Sequence, residues 1–153
     1  MAEQNLWLTL VGVLLLIAIN AFFVTAEFSI VSVRRSRISQ LVKDGDVQAQ
    51  TVQSLQRSIN RLLSTTQLGI TLSSLALGWV GEKTIAVSII VLVERLNLPT
   101  YISKSLAHSL ALPLSFIILA YLQIVLGELC PKSVALMYPE QLARFFGPPN
   151  VAI

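Results

Sequence analysis

The sequence predicts an all-α integral membrane protein: three transmembrane helices with juxtamembrane amphipathic helices and a polar cavity between the spans. Two observations carry that fold class. Three stretches of 20 or more residues contain no Asp, Glu, Lys or Arg, and about 20 apolar residues suffice for a helix to cross the hydrocarbon of a bilayer. Only 12% of the 153 residues are charged while 54% are hydrophobic, whereas a soluble domain carries about 25% charge. A mean hydropathy of +0.73 agrees: most of the surface does not face water.

The elements follow in order. A first span is expected over about 4–33, because Gln4–Ala26 is 23 residues without a charge and apolar character continues past Glu27 to Val33. A cleaved leader does not fit, since Glu3 stands where a basic segment belongs and the apolar stretch is too long. Residues 34–60 read as one or two polar juxtamembrane helices, with Ile38, Leu41 and Val42 on one face and a break at Gly45. Leu62–Gly81 gives the second span (62–81) and Ser105–Gly127 the third (105–128). The run Thr84–Val93 has only 10 residues and is expected as a short interfacial or re-entrant helix. Pro139 marks the start of a last amphipathic helix over 139–147, with Leu142, Phe145 and Phe146 opposing Glu140 and Arg144. Past Gly147-Pro148-Pro149 no natural terminus is visible, so the chain is expected to be part of a longer protein.

Charge sets the expected orientation. The 34–61 connection carries Arg34, Arg35, Arg37, Lys43, Arg57 and Arg61 against Asp44 and Asp46, while the 82–104 connection is balanced. By the positive-inside rule the basic loop is cytoplasmic, the N-terminus outside and the C-terminus inside, in a plasma (inner) membrane. A basic patch beside a span reads as contact with membrane lipid and not with nucleic acid. The single Cys130 excludes an internal disulfide and is expected as a small buried hydrophobe.

Side chains three, four or seven apart share a helix face. Ala18, Ala21, Thr25, Ser29 and Ser32 form a small, increasingly polar stripe on the first span; Ser64, Gln67, Thr71, Ser74, Gly78 and Gly81 form another on the second. Hydroxyls in a bilayer need partners, so both stripes are expected to face inward, for close packing, for a polar pathway, or for both. In the third span Pro131 has no N–H and disfavours the helical contact with the carbonyl of Gly127, freeing that oxygen beside the Glu128 carboxylate. Broken helices of this kind build cation sites. Hydroxyls of Thr25, Ser29, Thr71 and Ser74, with Gly127 and Glu128, would form an all-oxygen metal site suited to a hard cation such as Mg²⁺. The competing reading pairs Glu128 with Lys132. Glu27 is expected to pair with an arginine at the basic end, Lys132 to snorkel, and the lone His108 to sit at the outer interface. With no Gly-x-Ser-x-Gly or His-Glu-x-x-His pattern, a hydrolase is disfavoured and no catalytic residue is assigned.

Phe22-Phe23-Val24-Thr25-Ala26-Glu27-Phe28, Gln67-Leu68-Gly69-Ile70-Thr71-Leu72, Leu77-Gly78-Trp79-Val80-Gly81-Glu82 and Gly127-Glu128-Leu129-Cys130-Pro131-Lys132, in this order, resemble the transmembrane domain of the CNNM/CorC family. The resemblance implies a homodimeric transporter that exports Mg²⁺ coupled to Na⁺. It implies a cation site from Thr25 or Ser29, Thr71 or a neighbouring Ser, Gly127 and Glu128. It also implies cytosolic CBS domains beyond this chain. One departure is that many relatives resemble Phe-Ser-Ala-Ser-Glu where this chain has Phe23-Val24-Thr25-Ala26-Glu27. The alternative function is a Mg²⁺-sensing or regulatory membrane anchor without flux.

Overall fold

The computed structural model describes residues 2–97 and 100–152. Every element among them is helical: α1 (Ala2–Ser32), α2 (Arg35–Lys43), α3 (Val47–Arg57), α4 (Ile59–Arg95), α5 (Thr100–Leu122), a π-helix (Gln123–Leu129), α6 (Cys130–Met137) and α7 (Pro139–Ala152). Three helical stretches are long and apolar enough to cross a membrane: Gln4–Ser32, Ile59–Arg95 and Ser109–Met137. At 1.5 Å per residue, α1 with 31 residues and α4 with 37 are about 46 and 55 Å long. Both exceed the roughly 30 Å of a hydrocarbon core.

The second span differs from the expectation. Instead of stopping at Gly81 before a separate short helix, α4 runs unbroken to Arg95. Glu82 and Lys83 are both exposed, so the charges that interrupt the hydropathy do not interrupt the helix, and Thr84, Ile85 and Ala86 behind them are buried. Gly81 is a packing notch. A Cβ there would stand 2.7 Å from Leu119 Cδ1 on α5. The third stretch likewise continues past residue 128 through α6, and α7 continues beyond 147 through Pro148 and Pro149.

α4 packs on α1 along one side and α5 on the other, and the chain comes against α1 through the π-helix, α6 and α7. Most of the buried apolar residues fall into two groups. One joins Val13, Ile17, Leu77, Ile85 and Leu119 across α1, α4 and α5. The other, at the basic end, joins Ile30 of α1, Val33 just past its end and Leu62 of α4 to Ile38, Val52 and Ala143 of α2, α3 and α7. Between the groups α1 carries Asn20, Thr25 and Ser29, and α4 carries Thr66 and Ser73, all buried. A polar layer is thus closed off between two apolar clusters.

The hairpin of α2 and α3 is specified locally. Gly45 takes φ +87°, where a side chain is strained. Its N–H donates to the Val42 carbonyl and the Asp46 N–H to Leu41, both at 3.1 Å, the double bond that ends a helix on a left-handed residue. Asp46 then caps α3 by accepting from the Ala49 N–H at 3.1 Å. Its carboxylate also pairs with Arg144 of α7, and Arg37 pairs with Glu140 at 3.2 Å. α7 therefore sits on α1 and α3. Phe146 meets the Phe22 ring at 5.2 Å, while Phe145 of the expected apolar face points outward. Replacing Asp46 by Ala removes a cap and an ion-pair partner together. It is expected to lower stability by about 1–2 kcal/mol, measurable as a lower unfolding midpoint in detergent, with Arg144→Gln costing less.

Candidate functional site

Asn20 organises the polar layer. It interrupts an apolar run on α1 and is fully buried, so in a bilayer its amide must find partners within the protein. Its Nδ2 donates to the Gly127 carbonyl at 3.1 Å. Its Oδ1 lies 2.9 Å from the Ser73 hydroxyl and 3.4 Å from that of Ser74. Gln123 Nε2 donates to Ser74 Oγ at 3.0 Å. Ser73 Oγ is also 3.0 Å from the Ile70 carbonyl, and a hydroxyl has one proton, so it serves one acceptor at a time. These bonds tie α1, α4 and the π-helix together.

Local sequence explains the geometry on the third side. Over residues 123–129 the chain is a π-helix, and Pro131 follows in the first turn of α6. Such widened turns recur at functional sites. The Gly127 oxygen that Pro131 leaves without its normal helical donor is the one that Asn20 takes. A Cβ on Gly127 would stand 3.0 Å from Asn20 Nδ2 and 3.2 Å from Gln123 Oε1, so a side chain there would push both amides back by a few tenths of an ångström. Gln123 Oε1 is buried and has no hydrogen-bond donor among the described residues. A cavity of about 230 Å³ between α4 and α5 is lined by Ser74, Gly78, Leu119 and Gln123 and reaches Glu82.

The structure brings two of the six expected ligands, Ser74 and Gly127, into this network. Thr25 and Ser29 are buried lower on α1, each donating within its own helix: Thr25 to the Ala21 carbonyl at 2.7 Å and Ser29 to the Ala26 carbonyl at 3.1 Å. Their lone pairs remain available to a cation, but neither hydroxyl bonds to the network among the described residues. Thr71 lies on the exposed face of α4. The inward face of α4 carries Leu62, Thr66, Ser73, Leu77 and Gly81, so Ser64, Gln67 and Thr71 of the expected inward stripe point away from α1. Glu128 stands at the edge, its side chain 38% exposed and 4.0 Å from Lys132 Nζ. Lys132 in turn lies 5.0 Å over the Phe28 ring.

Glu27 corrects a second expectation. Its Oε2 accepts from the Thr66 hydroxyl at 2.7 Å and so ties α1 to α4; the partner is a buried threonine and not an arginine. Cys130 is exposed on α6 and not buried, because the inward positions of that helix belong to Pro131 and Ala135. The His108 side chain lies outside the described residues. Sequence reasoning passed over Asn20, Ser73 and Gln123. The signal for Asn20 was present, as a lone amide in an apolar span is costly unless bonded.

The arrangement offers neutral oxygens of two amides, two hydroxyls and a carbonyl, with one carboxylate at the rim. Among the described residues no three His, Cys, Asp or Glu side chains cluster, so a cation held here would rest on oxygens of this kind. Asn20→Ala takes the amide donor from the Gly127 carbonyl and leaves Ser73 only the Ile70 carbonyl of its own helix as an acceptor. It is expected to cost about 1–3 kcal/mol, read as a lower unfolding midpoint in detergent. Gly127→Ala is expected to be comparably damaging while Gly78→Ala, which meets open space, is neutral.

Comparison with known proteins fits this architecture. The model of the cyclin M transmembrane N-terminal domain matches residues 11–152. The chain is 39% identical over 142 residues to the UPF0053 protein YhdP of Bacillus subtilis, covering 93% of this chain and 31% of that protein. It is 41% identical to the UPF0053 protein YhdT of the same organism, with 93% and 30% covered. With the polyamine export protein of Haemophilus influenzae it shares 28% identity over 140 residues, 92% of this chain and 31% of that one. The chain spans about a third of the length of these relatives. A match over nearly the whole chain, together with its three membrane-length helices, makes this chain a member of the cyclin M (CNNM) transmembrane domain family.

Proposed function

We propose that this chain is the membrane part of a cation exporter whose cargo is Mg²⁺, with Na⁺ as the coupling ion, working as a homodimer. The observation that carries the reading is the polar layer of Asn20, Ser73, Ser74, Gln123 and Gly127 between two apolar clusters, holding an acceptor oxygen that has no donor among the described residues. Oxygen ligands suit hard cations, and Mg²⁺ favours few, well-placed ones. Glu128 supplies the charge. Its pairing with Lys132, more than a third exposed and at 4.0 Å, is worth only about 0–1 kcal/mol. Turning the carboxylate from Lys132 to a divalent ion therefore costs little. Thr25 and Ser29 would meet the ion farther along α1, and the cavity that reaches Glu82 would serve as its opposite mouth.

Orientation follows from charge: the basic α2–α3 hairpin would be cytoplasmic and the N-terminus outside, in the plasma membrane. A second copy would pack against the exposed face of α4. Gln67 and Thr71 lie exposed on α4, and an amide facing lipid is costly, so a partner subunit there would cover Thr71 as well. Cytosolic CBS domains would belong to the longer protein.

The name of the Haemophilus influenzae relative favours a second cargo, a polyamine, whose ammonium groups would also seek carbonyl, amide and carboxylate oxygens. Proteoliposomes of the full-length protein, loaded with Mg²⁺ or with spermidine, decide between them. Wild-type protein is expected to release Mg²⁺ and Glu128→Gln to lower that flux at least about tenfold without changing the oligomer. Spermidine flux without Mg²⁺ flux would replace the cargo. Mg²⁺ binding without any flux would favour a sensing or regulatory anchor. Gln67→Trp is expected to weaken the dimer, seen as a monomer peak in native mass spectra.

A further inference from the structure

The hairpin between α1 and α4 builds a second polar pocket, away from the layer just described. Arg35, Ser39, Gln53, Gln56 and Arg57 line a cavity of about 230 Å³. Arg35 is the first residue of α2 and Arg57 the last of α3, so the turn at Gly45 folds the two guanidinium-bearing ends to the same side. Both also stand next to a membrane-crossing helix: α1 ends at Ser32, and α4 begins at Ile59. At 1.5 Å per helical residue, or about 3.3 Å for extended chain, two or three residues put them within roughly 10 Å of the span ends. The apolar stretches of the sequence end at Val33 and resume at Leu62, so the pocket stands at the headgroup edge of both spans.

The pocket has a fixed base. Gln56 is 94% buried (6% exposed), and its Nε2 donates to the Ile30 and Val33 carbonyls, both at 3.2 Å, at the end of α1. Gln53 Nε2 reaches Ser39 Oγ at 3.5 Å. No acid lines the pocket; Asp46 pairs with Arg144 and Glu140 with Arg37, and Asp44 lies at the turn, the opposite end of the hairpin from Arg35 and Arg57. Among the described residues no carboxylate pairs with Arg35 or Arg57, so two planar cations flank a polar cavity of uncompensated positive charge. A guanidinium matches a phosphate with two parallel hydrogen bonds, and the hydroxyl and amides at the base can satisfy further oxygens.

We infer that this pocket binds the phosphate of an anionic phospholipid headgroup in the leaflet that the α2–α3 hairpin faces. Depth selects a lipid over a soluble anion: its acyl chains would continue along the exposed apolar flanks of α1 and α4, whereas inorganic phosphate would gain only the headgroup contacts. An acidic peptide segment would have to reach between the helix ends to meet the same two arginines.

Native mass spectrometry of the detergent-purified protein, titrated with phosphatidylglycerol or phosphatidylcholine, tests this. Wild type is expected to bind phosphatidylglycerol at least about tenfold more tightly. The double variant Arg35→Gln/Arg57→Gln is expected to lose roughly twenty-five-fold, the product of two surface cations each contributing about fivefold. Lys43→Gln, at the far end of α2, is expected to change little. Equal affinity for the two lipids, or undiminished binding by the double variant, would overturn the proposal. So would displacement of the lipid by inorganic phosphate or by a poly-glutamate peptide at matched concentration, which would assign the pocket to a soluble anion or to a protein segment. If the double variant does not fold, the wild-type lipid preference and the displacement experiments decide alone.

Discussion

Everything in the membrane half of this chain is arranged around one buried carboxamide. Asn20 can make several hydrogen bonds, and inside a bilayer no water supplies them. An unsatisfied amide in protein costs about 1–3 kcal/mol, a large part of the stability of a small domain. Meeting its needs fixes three helices at once. α4 must turn Ser73 toward α1, the third stretch must offer a free carbonyl, and the residue bearing that carbonyl must lack a side chain. Gly127, the π-helix and Pro131 meet the last two conditions together.

The apolar clusters explain why the layer persists. Val13, Ile17 and Leu77 close it on one side, and Ile30, Val33 and Leu62 on the other. The second cluster depends on residues outside the three membrane-length stretches, because Ile38, Val52 and Ala143 belong to the hairpin and α7. The Asp46 cap and the Arg144 and Arg37 ion pairs hold those elements in place. Structure at the basic loop is thereby coupled to the packing beneath the polar layer. The loop is part of the core and not a tether between spans.

Much of the fold was legible in the sequence for a physical reason. Hydropathy reports directly on the solvent around a helix, so the three spans, the Gly45 break and the Pro139 start could be read from composition and backbone chemistry. The end of the second span could not, because Glu82 and Lys83 look like an interface although both fit on the outer side of a continuing helix. In the site, Gly127 and Pro131 were legible because a missing N–H and a missing Cβ act locally. The choice between Ser73 and Ser74, or between Thr66 and Thr71, was not. Those positions differ only by rotation about α4, and contacts with α1 set that rotation. A stripe of small residues marks a face that permits approach without saying which helix approaches it.

If this chain carries Mg²⁺, a cation sits among the oxygens that Asn20 gathers. Anomalous diffraction from crystals of the protein soaked with Mn²⁺, a hard divalent stand-in for Mg²⁺, tests it most directly. The account predicts a peak about 2.1–2.2 Å from the Gly127 carbonyl oxygen and from at least one of Asn20 Oδ1, Ser73 Oγ and Ser74 Oγ, with the Glu128 carboxylate turned away from Lys132 toward it. A peak bound only at the exposed edge between Glu128 and the surface, with the Asn20 network unchanged, would contradict it.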